Sequence, residues 1–312
     1  MRSCLASIHA GFMAVAVSAC TVQRWQPAQS PSLDDHARHA GISLPAMSLG
    51  LRTGAARQGI AGIPAGNADA AARLQASPRK SEYAKVAFSP GSKDSVMLWI
   101  SYPQTRTKAP VVVVIHDNQG LSTWVRGVAD QLAADGFIAI APDLLSRVRG
   151  VAASAELPGD SVRKIIGGVT RDDKNLGVLA AATYGMSLPA AEKRYAVVGY
   201  CWGGGASFDH AVFSEKLGAA VVYYGTPPAK DSLAKITAPV LGLYGGTDAR
   251  IGATVPGTDS AMKAFGKAYE PHSFEGAGHG FLRSQGTAPD VEASRQAWPL
   301  TIAFLRKNLG VK

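Results

Sequence analysis

Cysteine is scarce in this chain, with three among 312 residues: Cys4, Cys20 and Cys201. No two of them have metal-ligand spacing, so neither a zinc site nor a disulfide framework is indicated. Charge is also thin, at 18% of residues against 46% hydrophobic, which excludes global disorder and leaves ample material for a core. The net charge of +9 is spread along the chain. There is no Lys/Arg block, no basic stretch interleaved with aromatics and no finger-type Cys/His spacing, so a nucleic-acid partner is not expected. A dispersed basic surface instead favours small anions such as carboxylates. No internal repeat is present, and the apolar run GFMAVAVSA before Cys20 is too short to span a bilayer.

That run, preceded by Arg2, reads as a secretory signal over residues 1–19. Val17-Ser18-Ala19-Cys20 resembles a bacterial lipobox, in which the cysteine after the cleavage point is lipidated; an ordinary small-residue cleavage site with an incidental cysteine gives the same pattern. Either way the protein is expected to be exported, to the periplasm or to a membrane through lipidated Cys20. Residues 20–80 are rich in Ala, Gly, Pro, Ser and Gln with unperiodic apolar residues, and read as a tether with a short helix near Ala68–Gln75.

From Tyr83 the texture changes. Tyr83–Phe88 and Val96–Tyr102 read as strands joined by a turn. Pro110–His116 is a continuous β-branched run, the pattern of a strand buried on both faces. Leu121–Asp135 has apolar residues at helical spacing and ends at Gly136. Further strands are expected at Phe137–Ala141, around Tyr195, and at Gly218–Tyr224 and Val240–Tyr244. Helices are expected at Asp172–Tyr184, Ser260–Phe265 and Val291–Leu309, the last kinked at Pro299. Such alternation argues for a doubly wound, mostly parallel α/β sheet flanked by helices over residues 81–312, with function at the carboxyl ends of its strands.

The stretch YAVVGYCWGGG, Tyr195–Gly205, runs from a strand through Gly-x-Cys-x-Gly toward a helix. This is the pattern of a nucleophile elbow with Cys201 at its tip. The flanking glycines permit the sharp turn, and the helix N-terminus beside the sulfur favours a thiolate. A nucleophilic thiol needs a base and an orienting acid. His279, in the glycine-flexed GAGHGF, follows a strand-like run and precedes the last helix. His210 falls inside the elbow helix and His272 inside the strand-like YEPHSF, where both read as structural. Asp248, in YGGTD just past the Val240 strand, gives the chain order nucleophile, acid, histidine. Asp143 precedes the nucleophile and reads as a cap.

With GYCWGG, YGGTD, GAGHGF, VVVVIHDNQGL and DGFIAIAPDLL in this order, the chain from Tyr83 to Leu309 resembles the dienelactone hydrolase family of the α/β-hydrolase superfamily. The resemblance implies more than Cys201, Asp248 and His279. Asp117 stands where the family has a glutamate, one methylene longer, that holds the resting nucleophile. Asn118 and Trp202 would supply the two oxyanion N–H groups, and Arg283 would bind a substrate carboxylate. A second substrate arginine would be one of Arg147, Arg149, Arg163 and Arg171.

The expected activity is cleavage of a small, anionic carboxylic ester or lactone through a thioester on Cys201. No metal or organic cofactor is implied, and a monomer is expected. A thioesterase or general carboxylesterase would use the same residues. A secreted binding protein that had lost the chemistry would not be expected to retain all three, and a thiol redox protein would need a resolving cysteine that the sequence does not place nearby.

Overall fold

The computed structural model describes residues 60–151 and 156–311. The signal reading, Cys4, Cys20 and most of the tether lie outside the described residues. Eight strands form one sheet: β1 (Ser81–Ala87), β2 (Ser95–Ser101), β3 (Ala109–Ile115), β4 (Ile138–Pro142), β5 (Ala191–Tyr200), β6 (Ala220–Tyr223), β7 (Val240–Gly245) and β8 (Tyr269–Phe274). Their spatial order is β1-β2-β4-β3-β5-β6-β7-β8. Only β2 runs against its neighbours; from β4 to β8 every pairing is parallel.

The β-branched run in β3 forms a central strand with every residue buried, as its lack of alternation requires. Its side chains divide by parity. Val112 and Val114 join Ala196, Val198 and Tyr200 of β5 on one face; Val111, Val113 and Ile115 join Tyr195 and Val197 on the other. The first face is covered by α1 (Ala70–Gln75), α2 (Thr123–Ala134) and the long α9 (Ala288–Leu309). The second is covered by α4 (Arg171–Ser187), α5 (Trp202–Phe213) and α7 (Val255–Ala264). Short helices α3 (Gly159–Ile165), α6 (Ala249–Gly252) and α8 (Phe281–Ser284) lie in the connections. Pro271 sits in β8, an edge strand, where a missing N–H is tolerated.

Caps fix the helix boundaries. Ser122 accepts from the Val125 N–H at the start of α2, and Thr170 and Asp173 form a reciprocal capping box on α4. Helix α9 runs unbroken through Pro299 and ends at Gly310, which takes the left-handed conformation at φ 65°.

Residues 60–80 are built into the domain rather than serving as tether. Ile63 and Ala70 are buried in the core of the first face. Arg79 makes a two-armed contact with the buried Asp130 of α2, at 2.9 and 2.6 Å. The helix expected near Ala68–Gln75 is present as α1. Composition suggested an open lead-in because so few large apolar residues occur there, yet those few are anchored.

Candidate active site

The carboxyl ends of β3, β5, β6, β7 and β8, consecutive across the sheet, converge on a pocket of about 630 Å³. Such an opening at the strand ends is where parallel α/β sheets bind ligands. Cys201, Asp117, Asn118, Tyr224, His279 and Arg283 are among its lining residues.

Cys201 follows β5 directly, with φ 55° and ψ −113°, a conformation that a side chain makes costly. Its N–H donates to the Tyr223 carbonyl at 3.0 Å, while its own carbonyl accepts from Gly205 at 3.2 Å and starts α5. The turn closes only because its glycines lack side chains. A Cβ on Gly199 would lie 1.9 Å from the Gly203 oxygen, and one on Gly203 would lie 2.3 Å from the His116 oxygen. The elbow read from Gly-x-Cys-x-Gly is therefore present, with the sulfur raised into the pocket.

His279 Nε2 lies 3.1 Å from Cys201 Sγ, and its Nδ1 lies 2.5 Å from Asp248 Oδ2. Asp248 also accepts from the Ile251 N–H at 3.3 Å as the cap of α6, which fixes its carboxylate. The histidine loop is shaped by Gly276 and Gly280, at φ 71° and 78°, and tied down by the Gly278 N–H on Asp290 Oδ1 at 3.0 Å. The thiol contact raises the His279 pKa most; partial burial opposes it, and Asp248 raises it again. The structure thus brings together the three side chains that the sequence singled out, in the geometry of nucleophile, base and orienter.

His116, at the end of β3, sets the next loop. Its Nε2 accepts from the Leu144 N–H at 3.2 Å, so Nδ1 carries the proton and donates to the Asp117 carbonyl at 2.8 Å. The same ring stacks on Trp202 with centroids 5.3 Å apart and planes 7° from parallel. The loops carrying the Asn118 and Trp202 N–H groups are thereby locked to each other.

Asp117 has partners other than the thiol. Its carboxylate accepts from the Gln119 N–H at 2.8 Å and pairs with Arg283, whose Nε lies 3.3 Å away. Burial pushes the Asp117 carboxyl up, and Arg283 pulls against that shift. The contact expected between Asp117 and Cys201 is replaced by the Arg283 pair, and the thiol rests on His279. Arg283 also donates from Nη2 to Asn67 Oδ1 at 3.3 Å.

The four arginines considered for a second anion contact all face carboxylates elsewhere: Arg147 on Asp173 and Asp94, Arg149 on Asp143, Arg163 on Asp160, and Arg171 on Asp209. Among the described residues the additional pocket cation is Arg250, two residues past Asp248. Its place in the acid loop was the available signal. Sequence reading also missed Tyr224, which follows β6 with φ 40° and packs its ring 5.1 Å from His279. Its buried hydroxyl has no partner among the described residues.

His210 is buried, with Nδ1 3.2 Å from Asn175 and Nε2 3.0 Å from the Tyr195 hydroxyl. His272 meets Glu270 on β8, and Asp143 caps the turn after β4. All three stand apart from the pocket. Among the described residues no group of three His, Cys, Asp or Glu side chains could hold a metal ion.

A profile of the Dienelactone hydrolase family matches residues 98–309. A protein provisionally named carboxymethylenebutenolidase from Saccharolobus solfataricus is 27% identical over 63% of this chain and 88% of its own length. A similarly named protein of Yersinia pestis is 28% identical over 67% of this chain and 82% of that one. Among solved structures, a provisionally named dienelactone hydrolase of Klebsiella pneumoniae superposes with a TM-score of 0.63 at 23% identity, covering 72% of this chain and 98% of that one.

Proposed function

From the premise that this chain belongs to the dienelactone hydrolase family, and is a carboxylic ester hydrolase of that kind, we propose that it opens small anionic esters or lactones through a thioester on Cys201. The observation that carries this reading is the continuous contact from Cys201 through His279 to Asp248 at the mouth of the pocket.

His279 Nε2 takes the thiol proton as Sγ bonds to the substrate carbonyl carbon. Asp248 holds Nδ1–H and balances the imidazolium. The carbonyl electrons move onto oxygen, and the N–H groups of Asn118 and Trp202 stabilise the oxyanion. Among the described residues neither N–H has an intramolecular partner, so both are free for that role. Collapse of the intermediate expels the alkoxide, which receives the proton from His279. Water then gives a proton to His279 and attacks the thioester; the acid leaves, and the thiolate returns. Because thiolate is itself a good leaving group, activated carbonyls such as enol lactones suit this site better than amides.

The charges lining the pocket support an anionic substrate. Among the groups that line it, Asp117 offsets Arg283 and the Cys201–His279 pair is neutral as a whole, which leaves Arg250 as surplus positive charge. The protein performs this reaction as a monomer after export, in the periplasm or held to a membrane through lipidated Cys20. Mass spectrometry during turnover of an activated ester tests the central claim. A transient acyl adduct on the Cys201 peptide is expected; turnover without any such adduct overturns the thioester route.

A further inference from the structure

The pocket has a wall from outside the family match. Asn67 and Ala68 line it together with Cys201, His279, Arg283 and Ser284, whereas the matched region begins at residue 98. The segment 60–69 reaches the site by being fastened onto α8. Gln285, itself at φ 44°, donates from Nε2 to the Pro64 carbonyl at 2.9 Å. The Asn67 N–H donates to the Arg283 carbonyl at 2.8 Å. Gly66 runs so close that a Cβ there would lie 3.1 Å from the Gln285 Cβ.

Burial divides the segment by task. Residues 63–66 are buried against the domain, while Asn67 and Ala68 are exposed at the pocket. The Asn67 orientation follows from its neighbour: Arg283 only donates, so Oδ1 faces it and Nδ2, a donor, remains for a ligand. Ala68 contributes no bulk beyond a methyl group. Ala68 shares with Cys201 the lining of a cavity of about 630 Å³, a size that suits small ligands, so bulk added at position 68 is added at the wall of that cavity.

We propose that residues 60–69 form the specificity wall of the pocket, with Ala68 setting the bulk admitted to Cys201 and Asn67 Nδ2 binding an acceptor oxygen of the substrate. The substrate half of this statement rests on the hydrolase reading; the access half does not. The test uses the full chain. Alkylation of the Cys201 peptide by iodoacetamide and by the bulkier N-benzylmaleimide is followed by mass spectrometry. Ala68→Trp is expected to slow N-benzylmaleimide at least fivefold more than iodoacetamide, with Ala68→Leu giving a smaller effect of the same sign if the tryptophan variant does not fold. An unchanged ratio in a folded variant overturns the size role. For the donor, Asn67→Leu is expected to lower kcat/KM several-fold for p-nitrophenyl methoxyacetate relative to p-nitrophenyl butyrate, an isosteric pair differing by one ether oxygen. Equal losses on both esters overturn it. If wild-type protein hydrolyses neither ester, the hydrolase reading and the donor role fall together, and the alkylation ratio still decides the size role.

Discussion

Removing the Arg283 guanidinium should destabilise the fold in a pH-dependent way. Asp117 is 3% exposed, and the guanidinium that neutralises it, 3.3 Å away, is itself only partly open to solvent. Breaking a fully buried pair by deleting one partner costs about 3–5 kcal/mol, because an uncompensated charge remains. Since 29% of the Arg283 side chain is exposed, water replaces part of the lost interaction, and roughly 2–3 kcal/mol is expected. For a domain of this size that lowers Tm by roughly 5–10 °C.

The sign follows from the carboxyl group. Burial raises its folded pKa, and Arg283→Met removes the largest opposing influence while the weaker Gln119 N–H bond remains. A carboxyl raised on folding favours the native state below its unfolded pKa, and the benefit is lost as pH rises through the folded value. The Tm gap between wild type and Arg283→Met should therefore be small near pH 4.5 and full near pH 8. Asp117→Asn in the same chain should recover most of the loss at pH 8. Scanning calorimetry at the two pH values decides the matter: a gap of equal size at both, or no recovery in the double variant, would refute the reasoning.

Other expectations are simpler to state. Cys201→Ala should fold normally and lose several orders of magnitude in kcat/KM on an activated ester, His279→Ala should be comparably damaged, and Asp248→Asn should be hurt less, all read in one steady-state assay. His210, pushed down to about 4 by burial, stays neutral while an unfolded histidine protonates; stability should fall from pH 6.5 toward 4 by roughly 3 kcal/mol, and His210→Gln should flatten that slope in urea titrations. Gly203→Ala should yield little folded protein, as judged by soluble expression and circular dichroism, because the new Cβ meets the Ile115 and His116 carbonyls at 2.4 and 2.3 Å. Tagged protein should fractionate outside the cytoplasm; retention of uncleaved protein there would refute export, and a palmitate label on Cys20 decides between the two signal readings.

The sheet was legible because β3 is so uniformly β-branched and because the glycine pattern at Cys201 has a single geometric use. Asp248 and His279 were legible through loop position and chain order. What escaped notice depends on contacts that no local pattern encodes. The pairing of Asp117 with Arg283 joins the loop after β3 to α8, far apart in the chain, and it gives the aspartate a partner other than the sulfur. The anchoring of residues 60–80 rests on single residues such as Ile63 and Arg79, too few to leave a periodic signal. Arginines near 147–171 looked available in sequence because their carboxylate partners lie on other elements.

The elbow is closed by main chain against main chain. Besides the contacts at Gly199 and Gly203, a Cβ on Gly204 would fall 2.4 Å from the Tyr223 oxygen, and one on Gly225 would fall 2.2 Å from the Gly204 carbonyl carbon. The backbone that carries Cys201 is thus positioned by main chain from β3, β5 and β6, with no side chain acting as a spacer at these four contacts. Rim side chains such as Asn67, Ala68 and Arg250 can then be exchanged without altering the backbone turn that carries Cys201. Recognition can thus vary at the rim, whereas a side chain added at Gly199, Gly203, Gly204 or Gly225 is a defect of folding before it is one of chemistry.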